Sequence, residues 1–369
     1  MNKRLLILSG IAILAVVANH ASHIGFVAMF WWTDRYWPVS VPNYDQMGSL
    51  FYYGLVAQQK LALFSVPAFL FVSGAFIAYA ARGAQSRLSW TMIWKRISNL
   101  LPPYLIWMAV YITTDIFIVK TPYTWQDLLS SLLTIGGSPF FFVPLLIVFY
   151  AISPVIAPIS KNHWKWLIFL ALLLQLAAIG RAYLRLAEVQ NIATQVMAFL
   201  LANQVAEFLF FYALGMTCGF KLSELKQGLF KFRWYLLIGT LIFAVLAVVE
   251  AEWIFQQFDN TVWRSSTLSL PTFLFSTCFI FCFLAFDHVE IPLSDFFYNL
   301  GVSTLAIYLI HKSILLVLPK LVYHLIPFVM AYQIVFQPLL IALAVGIPIA
   351  LLQLTKRSPL SKYYRILFG

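Results

Sequence analysis

Two stretches, "WLIFLALLLQLAAIG" at 166–180 and "YLLIGTLIFAVLAVV" at 235–249, are apolar on every face, and runs like them recur along the whole chain. A helix of a soluble protein keeps a polar stripe, and a strand of a membrane barrel alternates over about ten residues. These runs do neither. They approach the roughly 20 residues that carry a helix through about 30 Å of hydrocarbon, so they predict helices that span a bilayer. Ten candidate spans lie near 5–30, 55–81, 98–119, 140–160, 164–184, 203–220, 233–255, 268–286, 297–318 and 325–354. Apolar residues fill 62% of 369 positions and charged residues 10%, which leaves no room for a sizeable soluble domain. The expected fold is an all-α polytopic membrane protein of about ten transmembrane helices, forming one integral membrane domain over 1–369.

The net charge of +11 raises nucleic acid as a partner, but its placement argues otherwise. With the N-terminus inside, the inner ends collect Lys3, Arg4, Arg82, Arg87, Lys95, Arg96, Lys161, Lys165, Lys221, Lys226, Lys231, Arg233, Lys356, Arg357, Lys362 and Arg365. The positive-inside rule then puts both termini in the cytoplasm. One inner loop, "FDHVEIPLSD", has no Lys or Arg and runs against the rule locally. The bilayer is therefore the expected partner, in a cell membrane, with no nucleic acid. The basic start and apolar run "MNKRLLILSGIAILAVVA" read as an uncleaved first span, because no small-x-small site precedes His20. Cys218, Cys278 and Cys282 fall within spans and read as packing residues.

The longest polar stretch, "WWTDRYWPVSVPNYDQMG", mixes aromatic rings with Asp34, Arg35 and Asp45 on the outer side. It reads either as an interfacial belt or as a stacking surface for a sugar-like substrate.

Ionisable groups inside a bilayer are expensive and usually face a cavity or a partner. His20 lies 15 residues beyond Leu5, roughly 22 Å into the membrane, with His23 one turn further on nearly the same face. The ninth predicted span starts at about Phe297 and reaches His311 at roughly 21 Å, so the two histidines are expected at one level. Lys60, Asp115, Glu207 and Lys312 fall near it. Neutral imidazole can take a proton from a hydroxyl near pH 7, as acyl transfer to an alcohol requires. Metal binding is the competing use of His20, His23 and His311. They lack a nearby Cys or an assignable carboxylate, so no metal is expected.

At the inner end of the third span, "WKRISNLLPPYLIW" places Lys95 and Arg96 just before the predicted helix, with Pro102 and Pro103 in its first turns. The pair reads as a topology anchor or as a site for a phosphate-bearing ligand.

Six fragments in order resemble the type-3 acyltransferase family of membrane O-acyltransferases. "SGIAILAVVANH" carries Gly10, Ile11, Ala12 and His20 in register, and "VPAFLFVSGAF" carries Phe69, Ser73 and Gly74. "KRISNLLPPY", "FFFVPLLIVFYAISP", "FYALGMTCG" and "STLAIYLIHKSIL" follow. The resemblance implies transfer of an acyl group, expected to be acetyl, from cytoplasmic acyl-CoA to a hydroxyl of an extracytoplasmic carbohydrate or lipid-linked glycan. No bound cofactor is implied; acetyl-CoA is a substrate. His20 would act as general base or as an acyl-His relay, with Asn19, Ser73 or a backbone N–H near Gly74 facing the oxyanion. Glu207 or Asp115 would orient an imidazole, while His23 and His311 would line the acceptor cavity. Lys95 and Arg96 would hold the CoA phosphates. Ser9 and Asn99 stand where the family pattern has Arg, leaving Arg96 alone of three guanidinium groups. Lys95, Lys3 or Arg4 are the candidates to replace that charge. The loss keeps a second class open, a transporter or exporter of a glycan precursor, although two matching halves with broken helices are not visible in the sequence.

Overall fold

A computed structural model describes residues 2–32, 48–82, 88–188 and 204–369. The outer stretch with Asp34, Arg35 and Asp45, and the inner Arg87, lie outside the described residues. Among the described residues there are helices and no strands, and nine helices are long and apolar enough to cross a membrane. A tenth apolar helix is shorter.

In chain order the helices are α1 (Asn2–Val27), α2 (Leu50–Leu61), α3 (Ser65–Ala81), α4 (Trp90–Thr114), α5 (Trp125–Leu133), α6 (Phe142–Asn162) and α7 (Trp164–Leu186). They continue with α8 (Gln204–Phe220), α9 (Leu222–Phe258), α10 (Leu270–Ala285), α11 (Ser294–Val302), α12 (Thr304–Leu325), α13 (Gln333–Arg357) and α14 (Tyr364–Phe368). The buried core draws mainly on α1, α3, α6, α8 and α12. At the periphery, Leu241, Val245 and Val249 of α9 are exposed at i, i+4 spacing, the reverse of a soluble protein and the face a helix turns to lipid.

Without a hydrophobic drive between helices in lipid, close backbone approach has to hold them together. Glycine supplies it at two crossings. A Cβ on Gly215 of α8 would stand 1.9 Å from the Phe71 carbonyl oxygen, and one on Gly74 of α3 would stand 2.2 Å from that of Tyr212. Gly10 of α1 and Gly301 of α11 interlock likewise, against the Phe297 and Leu6 carbonyls. The "SG" of α3 is thus a packing element, and the Gly74 N–H lies inside a continuous helix.

Several expected boundaries need correction. Lys95 and Arg96 lie within α4, which starts at Trp90 because Ser89 accepts from the Met92 N–H as N-cap. Pro102 and Pro103 are therefore mid-helix and leave the Ser98 and Asn99 carbonyls without their usual partners. The ninth span does not run unbroken from Phe297. The chain turns at Ser303, and α11 packs on the inner part of α1 before α12 begins at Thr304. Phe297, Leu300 and Val302 run on into the apolar start of α12, so a hydropathy window averages over the break. The last span shifts to Gln333–Arg357, and α9 extends back to Leu222, carrying the inner basic residues on its first turns. Outside the spans, α5 begins with a capping box in which Thr124 and Asp127 bond reciprocally, and those bonds hold the Asp127 carboxyl below its usual range.

Candidate active site

The outer half of α1 is pinned by side-chain amides. Asn19 Nδ2 donates to the Gln59 carbonyl at 3.0 Å, and Gln58 Nε2 donates to the Ala18 carbonyl and to Gln337 Oε1, both at 2.9 Å. Gln337 Nε2 reaches the Ala21 carbonyl at 3.2 Å and Gln333 Oε1 at 3.0 Å. Each carbonyl of α1 has a second lone pair, so the ladder adds bonds without breaking the helix. It fixes the rotation of α1 and hence the direction of His20.

The rings of His20 and His311 stand 5.2 Å apart, tilted by 36°, and Tyr308 lies 5.8 Å from His311. Helices α1 and α12, nearly 300 residues apart in sequence, thus bring their histidines together. His311 is fully buried, and its Nδ1 is 3.1 Å from the Ile307 carbonyl of its own helix. A carbonyl only accepts, so Nδ1 carries the proton and Nε2 presents a lone pair. That Nε2 is buried without a partner. Buried polar atoms are normally satisfied, so this one is an exception; His311 itself does not line the cleft onto which His20 opens and meets it only through the His20 ring.

His20 opens onto a cleft of about 350 Å³ together with Asn19, Ser65, Ser138, Gln204, Glu207, Ser265 and Tyr308. The segment before α6 forms one wall. Lys312 Nζ donates to the Pro139 carbonyl at 2.6 Å, Tyr308 Oη accepts from the Phe142 N–H at 3.3 Å, and Tyr104 Oη meets Ser138 Oγ at 3.1 Å. Lys312 also lies close enough to act electrostatically on both His20 and His311. Gln204 Oε1 is buried in the cleft without a partner.

The carboxylates do not serve the imidazoles. Glu207 lines the cleft, but its Oε1 accepts from Arg181 at 2.8 Å, and Asp115 accepts from the Tyr123 hydroxyl at 2.7 Å. Lys60, fully buried, donates to the carbonyls of Trp263 and Ser266 at 3.1 and 3.2 Å. His23 is exposed and lines a neighbouring cavity instead. Among the described residues, no group of three His, Cys, Asp or Glu gathers as a metal site would need.

Ser73 lies eight residues along α3 from Ser65, roughly 12 Å toward the inner side. There it stands close to the Tyr150 hydroxyl, which also lies within electrostatic reach of Arg96. The Arg96 guanidinium carbon is 5.9 Å from the Tyr150 ring centroid, and Tyr212 Oη meets Ser153 Oγ at 2.6 Å nearby on α6. Ser73 therefore belongs to the inner polar group rather than to His20. Lys95 is exposed.

The two departures from the family pattern have different outcomes. Ser9 is buried, and its hydroxyl bonds the Leu5 carbonyl one turn back. Asn99 Oδ1 receives a guanidinium after all, from Arg365 Nη2 at 2.5 Å, because α14 folds back along α4. Trp107 Nε1 donates to the Leu367 carbonyl at 2.8 Å and anchors that return. Lys3 and Arg4 are committed elsewhere. Lys3 pairs with Asp295 at 2.8 Å, and Arg4 donates to the Phe283, Phe286 and Val289 carbonyls at the C-terminal end of α10.

Sequence reasoning missed the amide ladder, Gln204, Tyr150 and Arg365. Gln333 and Gln337 left a signal, two amides at i, i+4 in an otherwise apolar span. Arg365 left none, because only the fold brings it to Asn99.

A family model described as an acyltransferase domain matches residues 5–353 of the chain. No curated protein and no solved structure matches it.

Proposed function

Because the chain belongs to the type-3 acyltransferase family and is a multi-pass membrane acyltransferase, we propose that it moves an acetyl group from cytoplasmic acetyl-CoA to a hydroxyl of an acceptor on the outer side of the cell membrane. The acceptor class is a cell-surface carbohydrate or a lipid-linked glycan. The observation that carries this reading is the His20–His311 pair, 5.2 Å apart, with an unpartnered buried Nε2 beside an open cleft.

In this mechanism the acceptor hydroxyl enters the cleft and His20 removes its proton as the oxygen attacks the thioester carbon. His311, its tautomer held by the Ile307 carbonyl, accepts a hydrogen bond from one His20 nitrogen and leaves the other as base. A C–O bond forms and the carbonyl oxygen becomes an oxyanion. Asn19 carries a second amide hydrogen besides the one given to Gln59, and Lys312 supplies positive charge; both favour that oxyanion. Collapse breaks the C–S bond, and the proton on His20 passes to the departing CoA thiolate. An acyl-His20 relay is the variant in which the imidazole nitrogen attacks first and the acceptor oxygen second.

At the inner side Arg96 and Lys95 hold the CoA phosphates, for which a guanidinium fork suits an oxyanion better than an ammonium does. Arg365 on Asn99 adds a guanidinium one turn along α4 from Arg96. The exporter reading drew on two missing guanidinium groups, and Arg365 supplies one of them.

The test is transfer from labelled acetyl-CoA to candidate glycans by protein in lipid, with a rapid quench in the absence of acceptor. Label on glycan supports acyl transfer, and label trapped on His20 before acceptor is added selects the relay. No label on any acceptor and no response to CoA would overturn the reading.

A further inference from the structure

A second cavity, of about 410 Å³, adjoins the His20 cleft and includes His23, Phe26, Tyr52, Phe255, Arg264 and Ser265 among its lining residues. Ser265 lines both spaces, and His23 is one turn from His20 on α1. Arg264 is only 6% exposed, in the short turn Thr261–Ser265 between α9 and α10. A buried cation at the edge of a bilayer is expensive and calls for a partner.

Its partners among the described residues are incomplete. Nη2 donates to the Tyr52 hydroxyl at 2.6 Å, and Tyr52 in turn donates to Glu252 at 2.8 Å, so the Glu252 carboxylate is reached only through a phenol. Nε is buried with no partner. The guanidinium carbon lies 4.3 Å from the Phe255 ring centroid and 5.1 Å from those of Phe26 and Tyr52, which hold the plane and leave its donors to the edge. Among the described residues, the remaining nearby charges do not fill that edge. Glu250 is taken by Tyr183 and Trp263, and Lys60 donates to carbonyls on either side of Arg264, adding positive charge to the same turn.

We infer that this cavity binds an acid group of the acceptor, a carboxylate or phosphate oxyanion, on the edge of Arg264, about one helical turn from the hydroxyl that His20 activates. The inference rests on the acyl-transfer reading for the word acceptor, whereas the oxyanion site itself stands on Arg264. It selects acidic sugars or phosphate-bearing glycans over neutral ones, because a neutral ring leaves the guanidinium edge buried and unpaired.

Calorimetry on the full chain in nanodiscs of zwitterionic lipid, without acyl donor, tests it with methyl glucuronide, glucose 1-phosphate and methyl glucoside. The two anionic probes are expected to bind at least about tenfold more tightly than the glucoside. Arg264→Gln removes that difference, and Arg264→Lys, which keeps charge but loses the fork, retains part of it. Discs containing phosphatidylglycerol form a further arm, in which displacement of the sugars identifies lipid phosphate as the source of the oxyanion. Equal binding of charged and neutral probes by the unaltered protein overturns the inference, as does anionic binding unchanged in Arg264→Gln. Should that variant fail to fold, unchanged binding in Arg264→Lys overturns it equally. His20→Ala is expected to keep anion binding, so loss of transfer alone counts against the acyl-transfer reading and not against the oxyanion site.

Discussion

The cleft at His20 and the basic cluster of Lys95, Arg96 and Arg365 are built in opposite ways. Around His20 and His311 the side chains are enclosed, and the helix that carries His20 is held in rotation by three glutamine side chains and Asn19. In the basic cluster Lys95 and Arg365 are exposed, and one of the guanidinium groups arrives from the far end of the chain. The difference matches the chemistry proposed for each region. A base must meet a hydroxyl within hydrogen-bond reach, so its supports are buried and directional. A polyphosphate is held by charge and several donors, so a cation can come from any element that reaches the same place.

The largest effects should therefore fall on the outer pair. His20→Ala is expected to lower acyl transfer by about 10²–10⁴-fold while leaving the thermal shift produced by CoA in place. Transfer at the normal rate, or loss of the CoA response, would erase the contrast between the regions. His311→Ala is expected to cost less, about 10–100-fold in kcat, and to change the pH profile of kcat rather than KM. A change in KM alone would make His311 a wall of the cleft.

Effects at the basic cluster should be smaller and shared. Arg96→Ala is expected to weaken CoA binding about tenfold and Arg365→Ala by about threefold, as titration calorimetry can measure. If Arg365→Ala matches the unaltered protein, Arg365 merely ties α14 to α4. The smallest effect sharpens the role of the ladder. Gln337→Leu removes bonds from the back of α1 and is expected to cost about 1–3 kcal/mol in unfolding, with transfer reduced and CoA binding unaltered.

The same contrast separates what the sequence reveals from what it hides. Helix identity was legible because a bilayer demands about 20 apolar residues per crossing, and the windows at 166–180 and 235–249 leave no other solution. The meeting of His20 and His311 was approached by counting residues from the inner side, even though the count for His311 assumed a helix unbroken at Ser303. Ser303 was hidden because the apolar residues Leu300, Val302, Leu305 and Ile307 outweigh it in any span-length window. Ser73 looked like part of the catalytic level because adjacent motifs invite grouping, yet eight residues of helix carry it to the inner cluster with Tyr150. Arg365 and Arg264 escaped because their importance lies in long-range contacts, to Asn99 and to Tyr52, that no local pattern encodes.

The central claim is that His20 and His311 act as one unit, and a double-mutant cycle measures that most directly. Single-turnover transfer from labelled acetyl-CoA would be followed in the unaltered protein, His20→Ala, His311→Ala and the double variant, each shown to respond to CoA. The account predicts that the double variant is no slower than His20→Ala alone, because a positioning residue has nothing left to position. Independent, multiplying losses, or transfer that survives in His20→Ala, would contradict it.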